Sequence, residues 1–292
     1  APTDATVSPR GHHVAYVREQ NLYSYDLRSH RETQLTRDGG GAIKNGMAEF
    51  IAQEEMDRST GYWWSPDESK IAFARVDESA VPETQRFEIA ADNVATFPQR
   101  YPAAGGRNVS LRLGVIDLAS GAVRWIDLGS DADIYLARVD WLPDGTTLAV
   151  QRESRDQRRL DLLFADAATG ATHTVLSETS RTWVDLHDEL TFLRHSPQFI
   201  WASSRDGYRH LYLYDLSGKL LRQITQGPWM VDDFRGRAIK AVDENQRLVY
   251  FSATELDPTQ RHLYVASLDG GDPRRPRRLT PQPGVHHIVM SP

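Results

Sequence analysis

A pattern of strand and turn signals that returns along the chain constrains it more than any other feature. The order is a turn signal, a hydrophobic strand, a polar break, a second strand, a "D-L-x-x-G"-like turn and a third strand. It runs through "VSPRGHHVAYVREQNLYSYDLRSHRETQLT" from Val7. It returns in "WSPDESKIAFARV" from Trp64 with "RLGVIDLASGAVRWIDLG" from Arg112, and in "WLPDGTTLAVQRES" from Trp141 with "RLDLLFADAATGATHTVLSE" from Arg159. Two more units begin at His195 and Val242, and a sixth opens at "HHIVMSP" and is cut at Pro292. Each apolar run alternates or is short, and Pro, Asp and Gly bound it, as hairpins require. In "LPDG" the Pro fixes φ, the Asp caps the turn and the Gly tolerates positive φ. About four strands in every ~45–50 residues is the period of propeller blades. A blade cannot cover both of its faces alone, so stacked neighbours must do it. The expected class is all-β, a β-propeller of about five blades plus the start of a sixth. A β-sandwich or a set of hairpins is the plainer rival.

Two spacings break the period. Pro9 and Pro66 lie 57 residues apart, and Pro66 and Pro143 lie 77 apart. The excess falls in insertions at about 42–61 and 77–110 within what is expected to be one partial propeller domain, 1–292. Insertions into repeats lie on one face or edge and often carry function.

The first insertion, "GGGAIKNGMAEFIAQEEMDRST", holds the one helical pattern with chemistry on it. With Asn45 as N-cap and Gly61 as stop, Met47, Phe50 and Ile51 follow helical spacing. Glu54 and Glu55 then fall near the side facing protein. Neighbouring, partly shielded carboxylates repel and resist ionising unless a cation relieves them. A primary amine would do so through charge-assisted hydrogen bonds. The plainer reading is a surface ion pair with Arg58, i+4 from Glu54 and i+3 from Glu55, worth ~0.3–0.5 kcal/mol.

Composition closes several other routes. Across 292 residues, 40% hydrophobic and 25% charged content suits a packed globular chain. A net charge of −6 argues against bulk attraction to nucleic acid or an acidic membrane. No apolar run approaches the ~18 residues of a membrane-spanning helix. There are no cysteines, which excludes disulfides and thiolate metal sites and fits a bacterial envelope protein. The chain opens Ala1-Pro2-Thr3 rather than with Met, so it is expected to be processed or a piece of something longer. His12-His13 and His286-His287 are adjacent pairs that point to opposite strand faces, so no metal site and no cofactor is expected. The run Arg274, Arg275, Arg277, Arg278 reads as a solvated loop, and Tyr208, Tyr212 and Tyr214 as strand residues packed between blades.

"QEEMDRSTGYWWSPDESKIAFARVDESAVP" from Gln53, "RYPAAGGRNV" from Arg100 and "SSRDGYRHLYLYDLSGKLLRQITQGPW" from Ser203 resemble the N-terminal β-propeller of the dipeptidyl peptidase IV family, most closely its bacterial branch. The resemblance runs in order from about Val7 to Pro292. It implies an eight-bladed ring followed by an α/β-hydrolase domain that is absent from this chain. It implies a serine peptidase releasing N-terminal X-Pro or X-Ala dipeptides, periplasmic or secreted, with a second copy of itself as partner. Glu54 and Glu55 would sit on a short helix protruding into the cavity and bind the substrate's free N-terminal ammonium. No G-x-S-x-G nucleophile elbow occurs in the chain, so no catalytic residue is expected in it. Seven residues separate Glu55 from Trp63, one fewer than expected for mammalian members, which leaves the residues just after the pair unmapped. The alternatives are a TolB-like propeller that binds protein partners, or the propeller of another prolyl-oligopeptidase-type enzyme. Neither needs an amine anchor.

Overall fold

The computed structural model describes residues 1–234 and 236–291. Contacts divide the chain into two units, Ala1–Ser177 and Glu178–Pro292.

Three larger antiparallel sheets and one two-stranded ribbon build the first unit. Strands Thr3–Val7, His13–Arg18, Asn21–Asp26 and Arg31–Gln34 lie in that order. So do Ile134–Trp141, Thr147–Ser154, Arg159–Asp166 and Thr172–Thr179. Between them in sequence is a five-stranded sheet centred on Lys70–Asp77. Ser110–Asp117 and then Val123–Trp125 pair on one side of that central strand. On its other side sit two short strands end to end, Ile43–Asn45 against Asp77–Arg75 and Tyr62–Trp64 against Phe73–Ile71. The second unit has two four-stranded sheets. One runs Thr191–Phe192, Gln198–Ser203, His210–Asp215, Leu220–Gln223, and the other Ile239–Asp243, Leu248–Ala253, His262–Ser267, Arg277–Arg278. This is the blade pattern that the repeat predicts.

The period-2 alternation explains the packing between successive sheets. On Lys70–Asp77, Ile71 and Phe73 pack with Ala15, Val17 and Leu22 of the first sheet. Ala72 and Ala74 pack with Leu136, Leu148 and Val150 of the third. One central strand thus serves two cores, which is why a blade cannot be stable alone. In the second unit, Ile200, Leu211 and Leu213 pack with Val249, Phe251 and Tyr264. The turn Asp of the repeat has a backbone role. Asp26 accepts from Arg28 and Ser29 N–H at 2.8 and 2.7 Å, and Asp166 accepts from Ala168 and Thr169 N–H at 2.9 and 2.7 Å. These bonds stabilise the ionised carboxyl and hold both groups below the usual aspartate range.

Three minor expectations change. Tyr212 and Tyr214 are buried on their strand, but Tyr208 precedes it and is exposed. Arg277–Arg278 form the outer strand of their sheet rather than loop, pairing with Tyr264 and Val265. From His286 the sixth repeat forms no strand among the described residues, and Pro292 lies outside them. His12 and His13 do diverge: His12 Nδ1 lies 2.6 Å from Glu68 Oε2, while His13 stacks on Trp64 at 5.8 Å.

Candidate functional site

The two short strands on Lys70–Asp77 are the halves of one strand, interrupted by residues 46–61. The interruption closes at a neck. Gly46 N–H donates to the Ala74 carbonyl at 2.9 Å, and Ala74 N–H donates to the Gly61 carbonyl at 2.8 Å. Met47 and Thr60 bridge directly above. Both glycines have a steric reason. Gly46 has φ +71°, the left-handed region that L side chains avoid. A Cβ on Gly61 would lie 2.4 Å from the Met47 backbone nitrogen and carbonyl carbon.

Above the neck stands the only helix among the described residues, Phe50–Glu55. Its N-cap is Glu49, not Asn45, which ends the strand below and donates from Nδ2 to Asp38 at 2.8 Å. Gly61 belongs to the neck, and the helix stops at Glu55 with Met56 as C-cap. The buried side of the helix is set by Glu49, Ala52 and Met56 at 1%, 0% and 3% exposure. At ~100° per residue, Glu54 lies about 200° round from Ala52 and Glu55 on the flank. Both carboxylates are therefore exposed, contrary to the expectation that they face protein.

The plainer reading, an ion pair with Arg58, does not form either. Arg58 is buried, and its guanidinium donates to Glu49 Oε2 at 2.9 Å, to the Leu136 carbonyl at 3.1 Å and to the Thr60 carbonyl at 2.8 Å. Burial pulls its pKa below the ordinary value, while Glu49 acts the other way. With Arg58 turned inward, neither Glu54 nor Glu55 has a hydrogen-bond or ion-pair partner among the described residues.

A cavity of about 590 Å³ opens beside the helix, lined in part by Gln53, Glu54, Lys44, Glu78 and Arg100. Its cations are engaged. Lys44 pairs with Glu78 at 2.7 Å, and Arg100 donates to the Val81 carbonyl at 2.7 Å. The far wall belongs to the second insertion, a two-stranded ribbon of Glu83–Ile89 and Val94–Arg100. Its base meets the helix where Tyr101 contacts Phe50 edge to face, ring centroids 5.1 Å apart. Two residues along from Leu136, Arg138 acts electrostatically on a buried acid, Glu153, of the next strand. Burial pushes the Glu153 carboxyl up to about 7, with Arg138 opposing.

Sequence reasoning singled out Glu54 and Glu55 and missed Glu49, Tyr101 and the role of both glycines. One signal was available for Glu49: it is the lone charge in the run Met47–Ala52. Chemically the arrangement is two adjacent, exposed carboxylates on a short projection, a site for a small cation with several N–H donors.

Comparison with known proteins bears on the family of the chain. The family described as Dipeptidyl peptidase IV (DPP IV) N-terminal region matches residues 2–292. A protein of Emericella nidulans named "Probable dipeptidyl-aminopeptidase B" is 32% identical, over 97% of this chain and 34% of its own length. An Aspergillus flavus "Probable dipeptidyl peptidase 4" is 31% identical, over 89% of this chain and 35% of its own. The crystal structure of Porphyromonas gingivalis dipeptidyl peptidase 4 superposes with a TM-score of 0.87 at 28% identity, covering 97% of this chain and 39% of that one. The chain spans about a third of the length of the curated relatives it matches.

Proposed function

The chain belongs to the Dipeptidyl peptidase IV (DPP IV) N-terminal region family, and on that premise we propose that it is the substrate-selecting part of a serine dipeptidyl peptidase. Glu54 and Glu55 anchor the free N-terminal ammonium of a peptide. One observation carries this reading: a helix pushed out through a two-glycine neck, presenting two carboxylates whose neighbour in sequence, Arg58, is turned away to Glu49. An ammonium supplies the cation that the pair lacks and three donors for its oxygens. Fixing the amine fixes how many residues reach the reacting bond, so binding energy becomes positioning. An N-blocked peptide offers a neutral amide and forfeits the charge-assisted bonds.

In this reading the chain forms part of an eight-bladed ring, and the serine, its base and the S1 pocket lie in an α/β-hydrolase domain outside it. X-Pro and X-Ala peptides are the substrates. The enzyme works as a homodimer in the periplasm or outside the cell. The second subunit is supported by the ribbon, where Phe87, Ile89 and Val94 are 65%, 77% and 60% exposed. In the full-length protein, Glu54→Ala or Glu55→Ala should lower kcat/KM on free dipeptidyl substrates by at least about 10²-fold, the loss of a charged hydrogen bond or more. Labelling of the serine by a small phosphonate should persist. Near wild-type dipeptide release from both variants would overturn the assignment.

A further inference from the structure

The helix that carries Glu54 and Glu55 has little of its own to hold it in place. Six residues make under two turns, far below the ~12–15 residues at which an isolated helix becomes even marginal. Its N-cap makes no side-chain capping bond, its first turn has no acid and its last turn no base. Ala52 is its only buried residue. The direction of the two carboxylates must therefore come from tertiary contacts.

Arg58 supplies four of them as hydrogen bonds. Its backbone N–H donates to the Ala52 carbonyl at 2.9 Å, closing the C-terminal end of the helix. Its side chain reaches back to Glu49 at the N-terminal end and sideways to Leu136 in the neighbouring sheet. A third bond, to the Thr60 carbonyl, returns to the neck. The ring of Trp63 lies 5.9 Å from the guanidinium carbon. One residue thus joins both ends of the helix, the neck and the adjacent sheet, its backbone at the C-terminal end and its side chain at the rest. Stability is a poor account of such a pair. Glu49 and Arg58 are 1% and 4% exposed, Glu49 Oε1 accepts no hydrogen bond among the described residues, and a buried pair often does no better than an apolar one of the same size. What an apolar pair could not supply is direction, because the planar fork reaches three acceptors at fixed angles.

We propose that Glu49 and Arg58 are positioning residues that set where Glu54 and Glu55 meet the substrate amine without touching the substrate themselves. This rests on the amine-anchor reading and adds to it the source of the anchor's geometry.

The test uses the full-length protein and one ratio: kcat/KM for a free X-Pro anilide over kcat/KM for its N-acetylated form. The paired replacement Glu49→Leu with Arg58→Met keeps the volume and removes the directed bonds. It should lower the ratio at least about 10-fold, mainly through KM of the free-amine substrate, while phosphonate labelling of the serine stays within about 2-fold. Arg58→Lys keeps the charge but cannot reach all three acceptors. It should lower the ratio by at least about 3-fold, and it carries the test if the paired variant does not fold. A purely structural role would lower labelling and thermal stability and leave the ratio alone. A wild-type ratio in the folded variants, with Glu54→Gln abolishing it, would overturn the positioning role and leave the anchor standing. A wild-type ratio in Glu54→Gln as well would overturn the anchor and this inference together.

Discussion

Replacing Glu153 by glutamine should make the first unit more stable at alkaline pH and change its pH dependence in a defined window. Glu153 is 2% exposed, and burial raises its carboxyl from 4.5 to about 7. The folded state therefore binds this proton more tightly than the unfolded chain. Below pH 4.5 both states hold the proton and stability on this account is complete. From 4.5 to about 7 the unfolded chain loses its proton while the folded one keeps it, so stability falls as pH rises. Above about 7 both are ionised and the decline stops. At about 1.4 kcal/mol per pH unit, the window from 4.5 to about 7 caps the loss at about 3.5 kcal/mol. Reorganisation, and the polarity of the glutamine that replaces the acid, reduce what the substitution recovers to about 1–2 kcal/mol. Urea unfolding of wild-type and Glu153→Gln full-length protein at pH 4, 5, 6, 7 and 8 reads it directly. The difference between variants should grow in favour of glutamine up to about pH 7 and then level off. A difference that is flat across this range, or a variant less stable at pH 8, would refute the reasoning.

Other expectations follow from the neck and its supports. Gly61→Ala should destabilise the first unit by about 1–3 kcal/mol or more, because its Cβ meets Met47 backbone at 2.4 Å and backbone cannot rotate aside. Gly46→Ala, whose Cβ meets only side chains, Leu22 at 3.1 Å and Val17 at 3.3 Å, should cost about 1 kcal/mol through its left-handed φ; equal costs in urea unfolding would contradict the neck geometry. Tyr101→Ala, which removes the edge contact to Phe50, should weaken amine selection by several-fold in the ratio assay and cost about 0.5–1.5 kcal/mol of stability. An unchanged ratio would separate the ribbon from the anchor.

How far the sequence could be read depended on how local each interaction is. The strands and the Asp-led turns were legible because their signals lie within a few residues, as in Asp166 accepting from Ala168 and Thr169. Glu54 and Glu55 were legible as a pair by adjacency and family resemblance. Their exposure was not, because Met47, Phe50 and Ile51 imitate a helical stripe while the buried side is set by Ala52 and Met56. Asn45 looks like an N-cap only until Lys70–Asp77 pairs with it from 30 residues on, at Arg75. Arg58 offered an i+4 partner in sequence, but the chain leaves the helix at Met56, and the partner it meets is nine residues back. The Asn45 and Arg58 misses are contacts made across the neck or between strands distant in sequence, where spacing carries no signal.

The most direct measurement of the central claim is a structure of the full-length protein with a non-cleavable X-Pro dipeptide amide bound. The account predicts the free amine nitrogen between Glu54 and Glu55, with an oxygen of each at about 2.7–2.9 Å. An amine held elsewhere, beyond about 4 Å from both carboxylates, would contradict it.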